Sequence, residues 1–305
     1  MSPRSPDRPA SLLADRVTAE LARQSGQQLE PGLYLVATPI GNLGDISLRA
    51  LMTLSRADLI CCEDTRHSRT LLDHFGIQRP LRSYHEHNAQ AERPRILAAL
   101  AAGQVVALVS DAGTPLISDP GYKLVRAALE GGFCVTSIPG ASAVLAGLAV
   151  AGLPTDCFLF AGFLPTKDNA RRARLAELVD TPATLVFFEA PSRLASSLQS
   201  VAAAFAGRDV AVARELTKRF EEIRRGTAEE LGAWAASAGD IKGEIVILIG
   251  PPPPAAAVAD SDIAVRLEPL LSEMSLRDAA RVVADDLGIA KSRVYDIGLK
   301  LKGSR

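Results

Sequence analysis

From Leu33 onward the chain alternates short, unbroken apolar runs with helix-like segments, and this rhythm limits the folds open to it. The runs LYLVATPI, DLICCED, VVALVSD and FCVTSIP are continuous rather than alternating in polarity, as strands are when both faces of a parallel sheet are covered. Between them lie the helix candidates ISLRALMTLSRA and RPRILAALAAG, the second stopping at Gly103. An α/β architecture follows. Past Leu153-Pro154 the texture changes. The runs CFLFAGFL, TLVFFEA, DVAVAREL, EEIRRGT and EIVILIG predict a second, mixed or largely antiparallel sheet, with helices near 168–179 and 192–206. Thr227 and Glu230 form a capping box for a further short helix.

These textures divide the chain into a mobile N-terminal extension (1–30, around the weak helical piece LLADRVTAELA), an N-terminal α/β domain (31–152), a second α/β domain (153–250), a Pro/Ala linker (251–262) and a C-terminal helical module (263–305). In that module Ser275 caps a helix whose apolar face is Leu276, Ala279, Ala280, Val283 and Leu287. Gly288 turns the chain into a second, basic helix carrying Val294, Ile297 and Leu301. Two short helices about a glycine fit an RNA-binding helix-turn-helix and, equally, a hairpin that docks on protein.

The 34 Lys+Arg nearly balance the 35 Asp+Glu, so nucleic-acid binding has to use local patches. Candidates are Arg171-Arg172-Arg174, Lys218-Arg219, Arg224-Arg225 and the C-terminal Lys291, Arg293, Lys300 and Lys302, with Tyr84 and Tyr295 as stacking platforms. Cys61, Cys62, Cys134 and Cys157 lie in apolar runs without a C-x-x-C pair, which predicts buried free thiols in a reducing cytoplasm and no metal. The first residues lack an apolar h-region, and AVLAGLAVAGL is too short to span a bilayer, so a cytoplasmic protein without membrane partners is expected.

Five clusters carry the chemistry: TPIGNLGD (38–45), CEDTRHSRT (62–70), SDAGTPLISDPG (110–121), IPGASA (138–143) and FFEAPSR (187–193). Each follows or continues an apolar run, and ligands of open α/β sheets bind at the carboxyl ends of strands. G-x-G-x-x-G and G-x-x-x-x-G-K-[ST] are missing, which disfavours a conventional dinucleotide site and NTP hydrolysis. The loop GTPLISDPG offers Asp119, with Asp111 just before it, and no Lys or Arg before Lys123. Two carboxylates would repel a phosphate, so the loop suits a neutral or positive ligand. His85 and His87 have no further Cys/His cluster with them and read as surface or hydrogen-bonding residues.

Taken in order, ATPIGNLGD, CEDTR, VSDAGTPLISDPG, IPGASA and FFEAPSR resemble the rRNA-methylating branch of the tetrapyrrole-methylase-like superfamily, whose enzymes use S-adenosylmethionine. The resemblance runs from about Gly32 to Gly250, and the C-terminal module also fits. It implies two α/β domains with the cofactor in the cleft between them and a homodimer. The implied reaction is 2′-O-methylation of a cytidine ribose in the decoding centre of small-subunit rRNA, met as free rRNA or as the assembled 30S subunit. No DNA is implied. By the same resemblance, cofactor contacts fall on Ile40, Gly113, Thr114, Pro115, Ile117, Ser142, Ala143, Phe163 and Ala213. Asp111 is expected to serve the ribose, the ammonium or the loop rather than the sulfonium, which loses its charge on transfer. A ribose hydroxyl must lose its proton as the methyl arrives. The group that could assist comprises Glu63, Asp64, Arg66, His85, Glu189, Arg193, Glu215 and Lys218, each of which could instead belong to an ion-pair network. Gly113-Thr114-Pro115 stands where many tetrapyrrole methylases carry G-D-P, which favours the rRNA branch. Two alternatives stay open: methylation of a porphyrinoid or other small molecule, and an RNA-binding homologue without catalysis.

Overall fold

The computed structural model describes residues 8–26, 28–253 and 259–303. Residues 1–7 of the expected extension and 254–258 of the expected linker lie outside them. The chain forms two compact units, one up to Pro251 and one from Pro252.

The first unit opens with α1 (Arg8–Ser25), followed by β1 (Gly32–Val36), α2 (Leu48–Arg56), β2 (Leu59–Cys62), α3 (Thr65–His74) and β3 (Leu81–Ser83). Then come α4 (Ala89–Ala101), β4 (Val105–Leu108), α5 (Tyr122–Glu130), β5 (Val135–Ile138) and α6 (Ala143–Ala151). The stretch expected to be a mobile extension thus holds a helix of 18 residues. Glu20 and Arg23 pair along it, and Arg56 Nη1 donates to the Gln24 carbonyl at 3.2 Å. Its polar sequence hid this length, because only one short apolar piece marks it.

Strands β1–β5 form a parallel sheet in the order β3-β2-β4-β1-β5. Successive residues alternate between two cores. Tyr34, Val36, Ile60, Cys62, Val105 and Ala107 pack with residues of α2 and α3. Leu33, Cys61, Val106 and Leu108 pack with residues of α4 and α5. Both faces are covered, which is why the runs show no polar alternation.

The second half contains β6 (Phe158–Phe163), α7 (Asp168–Ala176), β7 (Thr184–Glu189), α8 (Leu194–Ala204), β8 (Asp209–Arg214), β9 (Glu222–Thr227), α9 (Ala228–Ser237) and β10 (Ile245–Ile249). Its sheet has the order β6-β7-β10-β8-β9; β6 and β7 are parallel and the other pairs antiparallel, the mixed sheet that the short links predict. Leu185, Phe187, Val210, Val212, Ile245 and Ile247 face α7–α9. Val186, Ala211, Ala213, Val246 and Leu248 face α6. Helix α6 buries Val144, Gly147, Leu148 and Ala151 against this sheet and leaves Leu145 exposed; Gly147 brings it so close that an added Cβ would lie 3.3 Å from Val246 Cγ1.

The capping box of α9 is formed: Thr227 Oγ1 accepts from the Glu230 amide at 3.2 Å, and Glu230 Oε2 accepts from the Thr227 amide at 2.9 Å. Thr227→Ala is expected to cost about 1 kcal/mol and lower Tm by about 2–4 °C in calorimetry; an unchanged Tm would show that the cap stabilises nothing.

The second unit is a three-helix module: α10 (Asp260–Leu270), α11 (Leu276–Leu287) and α12 (Lys291–Gly303). Ser275 caps α11, Gly288 is left-handed at φ 63°, and Leu276, Ala279, Ala280, Val283, Val294 and Ile297 are buried, as the two-helix pattern predicts. The pattern missed α10, whose Ile263 and Leu267 complete this core and whose first residues fall within the expected linker. Cys134 and Cys157 are exposed, unlike the expectation for all four thiols, because both sit just outside the strand they adjoin. Cys61 and Cys62 are buried on β2; burial pushes both thiols up, Cys61 to about 12, so they are packing groups rather than nucleophiles.

Candidate functional site

All strands of the first sheet are parallel, so the loops after β1, β4 and β5 leave from one edge, and hydrogen bonds knit them together. Thr38 and Gly113 exchange backbone bonds of 2.9 and 3.0 Å, tying the loop after β1 to the loop after β4. Thr114 Oγ1 donates to the Ala141 carbonyl at 3.2 Å, adding the loop after β5. Ser142 then caps α6. Opposite them, register brings the end of β7 beside the start of β10, with Phe188 facing Val246 and Glu189 facing Ile245.

Between these walls lies a cavity of about 440 Å³, within the range of small-molecule sites. Ile40, Asp111, Gly113, Thr114, Ile117, Ser142 and Ala143 line one side, and Phe163, Phe188, Leu216 and residues 243–246 the other. Glu63, Asp119 and Glu189 also border it, and among its described lining residues there is no Lys or Arg. An acid-lined cavity suits a cationic, phosphate-free ligand. Among the described residues, the non-glycine positions with positive φ are Leu116, Ser118, Glu215 and Thr217, all in the two loops bordering this cavity. Such strain persists where the surroundings over-determine the backbone, as they do at binding sites.

A second, more open recess is lined by Glu63, Asp64, Thr65, Arg66, Ser83, His85, His87 and Asp111. Glu63 and Asp111 belong to both. Asp64 caps α3, accepting from the Arg66 amide at 2.8 Å and from its guanidinium at 2.7 Å, and this pairing holds its carboxyl far below the usual range. Asp111 Oδ1 accepts from the Asp64 amide at 3.1 Å, which fixes the loop after β4 to the start of α3. Burial raises the Glu63 carboxyl above its ordinary value, and Asp111 adds to the rise.

Asp119 is raised from 3.8 to about 6, first by burial and then by Glu63 and Asp111, against a hydrogen bond from Ser110. A carboxyl raised on folding stabilises the fold fully below its unfolded value, and that contribution is lost as pH rises through about 6. Asp119→Asn is therefore expected to stabilise the chain at pH 8 by about 1 kcal/mol, allowing for its partial exposure, and to have little effect near pH 4. Melting curves at the two pH values check this; equal shifts at both would contradict it.

The structure separates the remaining expected residues. Glu189 borders the cavity, but its carboxylate is saturated: Ser197 Oγ donates to Oε2 at 2.5 Å, the Ala190 amide to Oε1 at 2.7 Å, and Arg193 pairs with it. Glu215 and Lys218 lie off the lining, paired with each other at 2.8 Å. The Lys218 partner and the Glu244 amide hold the Glu215 carboxyl down; burial opposes the Lys218 charge, and Glu215 with Glu244 outweighs it and raises that group. Pro115 and Ala213 are buried off the lining. Tyr84 is 1% exposed and cannot receive a base. Arg171 is buried against Asp168 and Ser200, and Arg225 donates to carbonyls at the end of α6, so these two stitch the fold rather than present charge. Phe188 lay within FFEAPSR without being singled out, and Leu216 and residues 243–246 had no motif to announce them, since the ends of β8 and β10 carry them to the cavity. Asp119 did carry a signal, its place in the Gly/Pro loop.

Two α/β halves with an acid-lined cleft between them define a tetrapyrrole-methylase type of fold, and residues 32–232 match the family model described as Tetrapyrrole (Corrin/Porphyrin) Methylases. Cobalt precorrin-4 methyltransferase shares the fold with a TM-score of 0.54 at 19% identity, over 72% of this chain and 94% of that one. Uroporphyrin-III C-methyl transferase from Thermus thermophilus, complexed with S-adenyl homocysteine, does so with a TM-score of 0.50 at 18% identity, over 72% and 97%. Ribosomal RNA small subunit methyltransferase I of Mesorhizobium japonicum is 54% identical over 277 residues, 90% of this chain and 93% of that one. Residues 257–302 match the model of the RsmI C-terminal HTH domain. The chain belongs to the ribosomal RNA small subunit methyltransferase I family of S-adenosylmethionine-dependent enzymes.

Proposed function

We propose that this chain methylates the 2′-oxygen of a cytidine ribose in small-subunit rRNA, at the decoding centre, with rRNA or the assembled 30S subunit as substrate. One observation carries the reading: the first cavity shares Glu63 and Asp111 with an open recess whose described lining residues are all polar or charged. Among the described residues no aliphatic or phenyl side chain lines that recess to receive a flat macrocycle, whereas a sugar-phosphate would find hydroxyl, imidazole and guanidinium partners there. The 54% identity to a protein named for small-subunit rRNA supports the same acceptor.

The cavity fits the cofactor: Asp111 and Asp119 on one wall complement an ammonium, and Gly113, held by Thr38, leaves open beside Ile40 the space that a side chain would fill. Bound S-adenosylmethionine supplies a methyl group activated on a sulfonium. Ile40, Gly113, Thr114, Ile117, Ser142, Ala143 and Phe163 would hold it. Asp111, tied to the Asp64 amide, would fix the loop. A carboxylate directly against the sulfonium would favour the ground state, so holding acceptor and methyl in line is the larger contribution of this site.

The C-terminal module would grip RNA through Lys291, Lys300, Lys302 and the half-exposed Tyr295. Exposed Phe158 and Leu159 on the edge strand β6 support a homodimer, and the rRNA substrate supports a cytoplasmic site of action. Stoichiometric S-adenosylhomocysteine binding, with methyl transfer to small subunits and none to uroporphyrinogen, is the expected result. Transfer to the porphyrinogen would defeat the reading.

A further inference from the structure

We infer that Glu63 is the group that takes the proton from the hydroxyl being methylated, an assignment that rests on the ribose-methylation reading. The hydrogen-bond pattern distinguishes Glu63 from the other carboxylates. Glu189 is saturated by Ser197, the Ala190 amide and Arg193. Glu215 is held by Lys218 and the Glu244 amide. Asp64 is spent on capping α3 and on Arg66, and Asp111 accepts from the Asp64 amide. Asp119 borders only the enclosed cavity. Glu63 borders both recesses, and among the described residues its carboxylate has no ion-pair partner. It follows β2 directly, so the sheet fixes its backbone.

A base at the junction of a methyl-donor cavity and an acceptor recess is where the proton must go. As the hydroxyl oxygen's electron pair forms the new O–C bond, the electrons of the breaking C–S bond stay on sulfur, which becomes a neutral thioether. The hydroxyl proton passes to the Glu63 carboxylate and leaves through the open recess to water.

The groups that set its charge face it from several elements. Asp111 and Asp119 come from the loop after β4, His85 from the segment after β3, and Asp64 with Arg66 from the start of α3. Glu189 and Glu244 line the wall across the cavity. Burial, then Asp111, raise the Glu63 carboxyl above its ordinary value and His85 lowers it, so it holds a proton more tightly than an exposed glutamate does. Among the described residues His85 Nδ1 is enclosed without a hydrogen-bond partner, and its ring lines the same recess as Glu63, where it acts as a positioning group.

The test uses the full-length chain, with S-adenosylhomocysteine binding by calorimetry beside methyl transfer to small ribosomal subunits across pH. Glu63→Gln is expected to bind S-adenosylhomocysteine within about threefold of wild type while transfer falls by about 100-fold or more. Wild-type kcat/KM is expected to rise with pH as Glu63 deprotonates. That limb is expected to move to lower pH in Asp111→Asn and to higher pH in His85→Gln, and Glu63→Asp keeps measurable transfer with a displaced limb. Transfer by Glu63→Gln within about fivefold of wild type would overturn the assignment. So would a loss of transfer matched by an equal loss of S-adenosylhomocysteine binding, or a larger loss in His85→Gln than in Glu63→Gln. A wild-type chain that leaves ribose hydroxyls unmethylated would overturn the ribose reading, and this assignment with it.

Discussion

Gly113→Val is expected to weaken S-adenosylhomocysteine binding by about 100-fold or more, about 3 kcal/mol, while the chain still folds. Gly113 sits at φ 79°, a region that costs a β-branched residue heavily, and even a bare Cβ would lie 3.3 Å from Ile40 Cγ2. The residue cannot turn away, because its amide and its carbonyl are both bonded to Thr38. Strain is relieved only by moving the loop that carries Thr114, Ile117 and Ser118, which are three contacts of the cavity wall. Gly113→Ala, with one methyl and the same φ, is expected to fall between. Calorimetric titration of each variant checks the order; binding by the valine variant within a few-fold of wild type would show that this loop does not hold the cofactor.

The second large effect is on stability. Arg193→Met is expected to cost about 3–5 kcal/mol and to lower Tm by about 10 °C, because it strands the Glu189 carboxylate, whose side chain is 0% exposed, without its cation. Ser197 and the Ala190 amide would remain as partners but carry no compensating charge. The double variant Glu189→Gln, Arg193→Met removes the charge as well as its partner and is expected to recover most of the loss. A single variant as stable as wild type would mean that the pair is solvated rather than buried.

These two sites show what the sequence made legible. The motif order brought Gly113, Thr114, Ser142 and Glu63 into view because each stands where a strand ends, and the parallel first sheet converts that position into a shared edge. FFEAPSR was equally visible, but its chemistry was not. Whether Glu189 is free or tied depends on Ser197 of α8, eight residues away and carrying no motif. The Arg171-Arg172-Arg174 cluster misled for the same reason, since a charge run does not show which arginine turns inward. Residues 243–246 were out of reach, because antiparallel register against β7 places them and no spacing encodes it. α10 was hidden by its polar start and by Pro269 near its end.

The measurement that bears most directly on the account is transfer of labelled methyl from S-adenosylmethionine to small ribosomal subunits lacking the modification, followed by digestion of the RNA to nucleosides. Label is expected in 2′-O-methylcytidine alone, and is lost in Glu63→Gln. Label on a nucleobase, or transfer to a porphyrinoid with none to RNA, would contradict it.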